Sequence, residues 1–177
     1  QTVFIFGICL LFVYLLLAAQ YESLLLPFPV ILSLPAGIFG SYFFLQLAGL
    51  ENNIYAQVAL VMLIGLLGKN AILIVEMANQ YRKQGMSIFD AAVRGSVSRL
   101  RPILMTSFAF ICGLIPLVMA SGAGALGNRS IGTAAAGGMF IGTFVGIFLV
   151  PGLYLIFESW SAHLNRNKVS YDEEDEK

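Results

Sequence analysis

The chain has 177 residues, 58% of them hydrophobic and 11% charged, with ten Lys or Arg balanced by ten Asp or Glu. Soluble globular domains carry about 25% charged residues, so this composition, with a mean hydropathy of +0.83, excludes one and points to an integral membrane protein. The zero net charge gives no footprint for a nucleic-acid partner, and a single histidine, His163, rules out a His-based metal cluster.

Five apolar stretches are long enough to cross roughly 30 Å of hydrocarbon at about 20 residues each, which predicts an all-α, polytopic transmembrane helix bundle. The first covers 1–19. It has no basic leader and no small-residue cleavage site, so it reads as a span rather than a signal peptide. Because the chain begins at Gln1 inside an apolar run, we expect it to be a piece of a longer protein. The second span covers 27–48 and the third 54–78, joined to the fourth by a more polar segment. Cys9 and Cys112 both fall in apolar runs and read as packing residues rather than a disulfide.

Within the third span lies Lys69, in a run otherwise built from Leu, Ile, Val, Met, Ala and Gly, with Asn70 beside it. A charge at mid-bilayer costs roughly 2.5–3.5 kcal/mol on insertion scales. The only carboxylate in the same span is Glu76, seven residues on, about 10.5 Å along a helix axis. A tight pair at that distance is not expected. Snorkelling to the surface is the ordinary alternative, but it is a long reach from the middle of a span. A partner for Lys69 is therefore expected on a helix outside this sequence.

Between the third and fourth spans, residues 87–101 read as a helix on the membrane surface, with Ser87 and Asp90 in the S-x-x-D form of a capping box. Pro102 then opens the fourth span, 102–120, where its missing N–H costs nothing. Thr106 and Ser107 are the polar side chains at depth there. Side chains of this kind usually bond their own backbone or a neighbouring helix.

The sequence Gly122-Ala-Gly124-Ala-Leu-Gly127 fits G-x-G-x-x-G, but no strand precedes it and no acidic residue follows at the required distance, so it reads as an outer turn. The fifth span, 131–157, carries Gly138, Gly142 and Gly146 at four-residue spacing. This smooth face suits close helix packing, within the bundle or between subunits. Residues 161–177 form a charged tail with an acidic end, 172–177, expected to be disordered.

Eight of the ten basic residues fall in the segment after the third span or in the tail. With five spans these lie on one side, which the positive-inside rule assigns to the cytoplasm. The 20–26 turn then faces the cytoplasm, and the turns at 49–53 and 121–130 face outward. Tyr21, Tyr81 and Trp160 mark the inner interface and Tyr55 the outer one.

Four segments carry a family resemblance. Gly65-Leu-Leu-Gly-Lys69-Asn70-Ala-Ile-Leu-Ile-Val-Glu76 resembles the tenth transmembrane segment of the resistance–nodulation–division efflux transporters, in their hydrophobe/amphiphile multidrug branch. Arg99-Leu-Arg101-Pro102-Ile-Leu-Met-Thr106-Ser107, continuing through Gly113 and Pro116, resembles the eleventh. Tyr21-Glu22-Ser23 with Pro27 and Phe28 is similar to the turn between the eighth and ninth, and the last span is similar to the twelfth.

The resemblance implies a secondary active transporter, a proton antiporter and not an enzyme, driven by the proton gradient without a cofactor. It implies a multi-pass protein of the bacterial inner membrane, surrounded by lipid and with its C-terminus in the cytoplasm. The implied assembly is a homotrimer working with a periplasmic adaptor and an outer-membrane channel. Lys69 matches the relay lysine, Thr106 the relay threonine and Arg99 an arginine on the cytoplasmic approach. Their implied partner is an aspartate pair on another helix of the same transporter, in a part this sequence does not contain. A metal-exporting relative and a non-transporting membrane scaffold are the alternatives. A channel is disfavoured, because no charge ring or carbonyl-rich filter is visible.

Overall fold

The computed structural model describes residues 2–21 and 27–174, with side chains described over 3–19 and 27–163. The chain folds into α1 (Thr2–Tyr21), α2 (Pro27–Leu47), α3 (Ile54–Lys83), α4 (Ile88–Val118) and α5 (Ala125–Glu174). In lipid, backbone groups must find their partners internally, and helices meet that demand within one segment. Among the described residues α2, α3, α4 and the 125–163 part of α5 are long and apolar enough to cross a membrane. The described apolar run of α1, Val3–Ala19, is shorter.

α5 is the hub, packing against α2, α4 and α3, while α1 sits at the edge against α2 and α3. Small residues make this possible. Ala134 and Ala135 of α5 are fully buried beside Leu45 of α2 and Ala56 and Ala59 of α3. A second cluster, built on Leu34, Leu63, Leu67 and Met139, fills the middle of the bundle. The third joins Leu17, Val30, Val75, Ile103, Val150 and Tyr154. Lipid tails are as apolar as leucine, so this packing gains from dispersion and close fit rather than from removal of water. At the same end Phe28 stacks on Phe157 at 5.5 Å and meets Tyr14 edge-on at 5.7 Å, tying α1 to α2 and α5.

Three elements differ from expectation. The segment 87–101 and the fourth span are one continuous helix, α4, and Pro102 lies inside it rather than at its start. The cap is at Ser87, whose Oγ accepts from the Asp90 N–H at 3.2 Å. Ala91, Ala92 and Gly95 are buried against α3. An added Cβ at Gly95 would lie 2.7 Å from the Ala78 nitrogen. This end is thus pinned to the bundle and does not rest on headgroups alone. α3 runs five residues past its expected end, to Lys83. The tail expected to be disordered continues α5 as helix through Glu174, because 161–171 contain no Gly or Pro to stop it.

The expected turn at 20–26, the interface role of Tyr21, the tail cations Arg166, Lys168 and Lys177 and the acidic end at 172–177 lie outside the residues whose side chains are described. The turn at 121–124 uses Gly122 and Gly124 at φ +94° and +80°, backbone angles that side chains disfavour. The other end of that G-x-G-x-x-G run is helical: Gly127 lies under the Tyr55 ring, 3.0 Å from where its Cβ would be.

Candidate functional site

Lys69 sits near the centre of α3, on the side opposite its buried residues. Leu60, Leu63, Leu67, Ala71, Ile74 and Ala78 recur every three or four positions and face the other helices. Lys69 lies across the helix from them and is exposed, as are Met62 and Gly65 on the preceding turns. Among the described residues Lys69 enters no ion pair. Glu76, two turns away, is partly buried and does not reach it.

Thr106 is likewise exposed on α4, and its Oγ1 donates to its own backbone, the Ile103 carbonyl, at 3.0 Å. Arg99 is partly buried nearer the start of α4, with its Nε enclosed and unpartnered among the described residues. Lys69 and Thr106 therefore share one property, an outward-facing polar group at the depth of the spans. No direct bond joins Lys69, Thr106 and Arg99.

Asn70 behaves differently from its neighbour. One residue advances a helix by about 100°, which turns Asn70 from the open side toward α5. It lines a cavity of about 20 Å³ with Ser33, Ile103, Thr143, Gly146 and Ile147. Its Nδ2 is buried and has no partner among the described residues.

The three glycines of α5 divide. A Cβ on Gly142 would fall 2.6 Å from Leu67 Cδ1, and one on Gly138 would collide with Leu63 and Ser41. This stretch packs inside the bundle, against α2 and α3. Gly146 does not share that role: a Cβ there meets nothing within 4 Å, and the residue borders the cavity instead.

Sequence reasoning named Ser107 without its partner and missed Ser41, Asn53, Ser130 and Thr143 of the interior. Ser41 of α2 donates to the Ala134 carbonyl of α5 at 2.8 Å. Ser107 of α4 shares a 3.0 Å hydrogen bond with Thr143 of α5. Asn53 caps α3 by accepting from the Ala56 N–H at 3.0 Å, and its Nδ2 donates to Ser130 of α5 at 2.9 Å. A signal was available for two of them. Ser41 follows Gly37 by four residues and Thr143 directly follows Gly142, so both stand on small-residue faces where helices approach closely.

Comparison with known proteins places these features in context. The AcrB/AcrD/AcrF family model matches residues 1–158. The chain is 48% identical over 155 residues to the toluene efflux pump membrane transporter TtgB of Pseudomonas putida, a match covering 88% of this chain and 15% of that protein. It is 43% identical over 167 residues to the multidrug resistance protein MdtF of Escherichia coli, covering 94% of this chain and 16% of that protein. The toluene efflux pump membrane transporter TtgE of Pseudomonas putida is 44% identical over 157 residues, covering 88% and 15%. The chain thus spans about 15% of the length of these relatives.

Proposed function

Since the chain belongs to the AcrB/AcrD/AcrF family of efflux transporters, we propose that it forms part of a proton-driven multidrug exporter and supplies the cationic side of its proton relay. The carrying observation is Lys69: an ammonium at the centre of a membrane helix, aimed away from its own bundle and unpaired among the described residues. A cation held at that depth needs a carboxylate or a hydrated path. In this reading the partner is an aspartate pair on another helix of the whole transporter.

The cycle follows from electrostatics. While the aspartates are ionised, they hold the ammonium by a charge-assisted hydrogen bond. When a proton arrives from outside, the carboxylate loses its charge and its grip, and Lys69 swings away. The two positions of the lysine are the two states that the drug-binding part would sense. Thr106, exposed on the neighbouring helix, offers a hydroxyl that can pass or orient a proton through water. Arg99, near the basic end of α4, lies on the exit side of that path.

The names of the relatives support organic compounds, toluene and drugs among them, as the cargo rather than metal ions. The same reading places the protein in the bacterial inner membrane, with the end carrying Arg82, Lys83, Arg94, Arg99 and Arg101 in the cytoplasm. It also assigns a homotrimer, a periplasmic adaptor and an outer-membrane channel as partners. The test is Lys69→Ala in the whole transporter, expressed in cells that lack other pumps. Drug efflux should disappear while the protein inserts and assembles at its normal level. Full resistance in cells carrying that variant would overturn the relay role.

A further inference from the structure

The cavity beside Asn70 is bounded by groups whose bonding capacity is unfilled. Its volume, about 20 Å³, exceeds the roughly 10–15 Å³ that one water requires, and a buried water also needs two to four polar partners. Asn70 Nδ2 is a buried donor with no acceptor among the described residues. Ser33 Oγ gives its proton to the Val30 carbonyl at 2.6 Å, which leaves its oxygen free to accept. Thr143 Oγ1 uses one of its bonds on Ser107 and retains others.

The fourth group is a backbone carbonyl. Pro151 lies inside α5 and has no N–H to offer the carbonyl four residues back. That carbonyl belongs to Ile147, itself a lining residue of the cavity. In a membrane helix, a carbonyl freed by proline is re-satisfied by a neighbouring helix, a hydroxyl or an ordered water. Here a buried donor without an acceptor and a residue whose carbonyl has no N–H four positions on line the same small space. A metal cation could serve the carbonyl but not the amide N–H. Water serves both.

We infer that this cavity is a binding site for one ordered water, which accepts from Asn70 Nδ2 and donates to the Ile147 carbonyl. Its second proton goes to the Ser33 or Thr143 oxygen. The water fastens α3 to α5 at the point where Pro151 weakens α5, one residue from Lys69, and so fixes the rotation of α3 about its axis. The inference rests on Asn70 and Pro151 and holds whether or not Lys69 relays protons.

The experiment uses the whole transporter in lipid nanodiscs, at a resolution where ordered waters are visible. A density peak should lie about 3 Å from both Asn70 Nδ2 and the Ile147 oxygen. An Asn70 amide bonded directly to a protein acceptor, or a site without density, would overturn the inference. A double-mutant cycle supplies a second readout. Asn70→Leu removes the donor and fills the space, and Pro151→Ala restores an N–H to the Ile147 carbonyl. If one water joins the two groups, the melting-temperature shift caused by Asn70→Leu must change in the Pro151→Ala background. Equal shifts in the two backgrounds would mean that the residues act independently, and would sink the bridge.

Discussion

Along the α2–α5 seam, an added methyl at Gly40 would sit 2.9 Å from the Gly137 carbonyl. On the far side of α3, Lys69 stands exposed with room around it. The seam is made of small residues and short hydroxyls whose bonds close within the bundle, such as Ser41 to Ala134, and Ser107 to Thr143 does the same between α4 and α5. The open side of α3 carries a full charge that nothing among the described residues neutralises. Lipid rewards both arrangements differently. Close packing with internal hydrogen bonds is stable by itself, whereas an unpaired ammonium is tolerated only where a further element or water meets it. The seam is therefore read as structure, and the open side as the surface on which the proposed relay rests.

Substitutions can break or sharpen that contrast. The largest effect is expected at the seam: Gly40→Leu forces side-chain atoms into the Gly137 backbone and Ile141, costing about 3 kcal/mol or more. Membrane abundance and thermal melting of the whole transporter should both collapse. If Gly40→Leu assembled normally, the seam would not be the structural element described here. On the open side, Lys69→Met should give the reverse pattern, with normal abundance and melting but no efflux in a resistance assay. A Lys69→Met protein that fails to assemble would move Lys69 into the structural class.

Smaller effects grade the same comparison. Thr106→Ala should reduce efflux only in part, because a water can stand in for one hydroxyl in a hydrogen-bonded path; drug accumulation in cells would register the loss. Within the glycine stripe, Gly142→Ala should lower the melting temperature, consistent with roughly 1–3 kcal/mol of overpacking against Leu67. Gly146→Ala, whose added methyl meets no protein atom within 4 Å, should lower it less. Equal responses at the two positions would dissolve the distinction between them. A small effect is also expected for Ser107→Ala, which removes one interhelical hydrogen bond worth about 0.6 kcal/mol and is best measured against Thr143→Val in a double-mutant cycle.

The element map was largely legible because a membrane span is defined by local composition: a run of apolar residues must be a helix wherever its neighbours lie. Lys69 was legible for the same reason, since a charge in such a run is costly in any fold. Breaks between elements were harder. Pro102 looks like a helix start, yet α4 passes through it, held by Gly95 against Ala78, a contact between residues on different helices. Arg99 and Thr106 were reached through family resemblance rather than through periodicity, and their lack of a shared bond shows why: nothing local to either residue identifies its surroundings.

The sequence by itself determined that this chain lives in a membrane as a helix bundle, and that Lys69 places a charge inside an apolar run. Hydropathy and charge are properties of each residue in its solvent, so they survive without coordinates. Only the tertiary structure decided which side of each helix is closed. It turned Lys69 outward and Asn70 inward, though they are adjacent, and it separated Gly142 from Gly146 within one repeat. Those outcomes depend on how α2, α3 and α4 seat around α5, because burial belongs to the contact between helices and not to either helix alone.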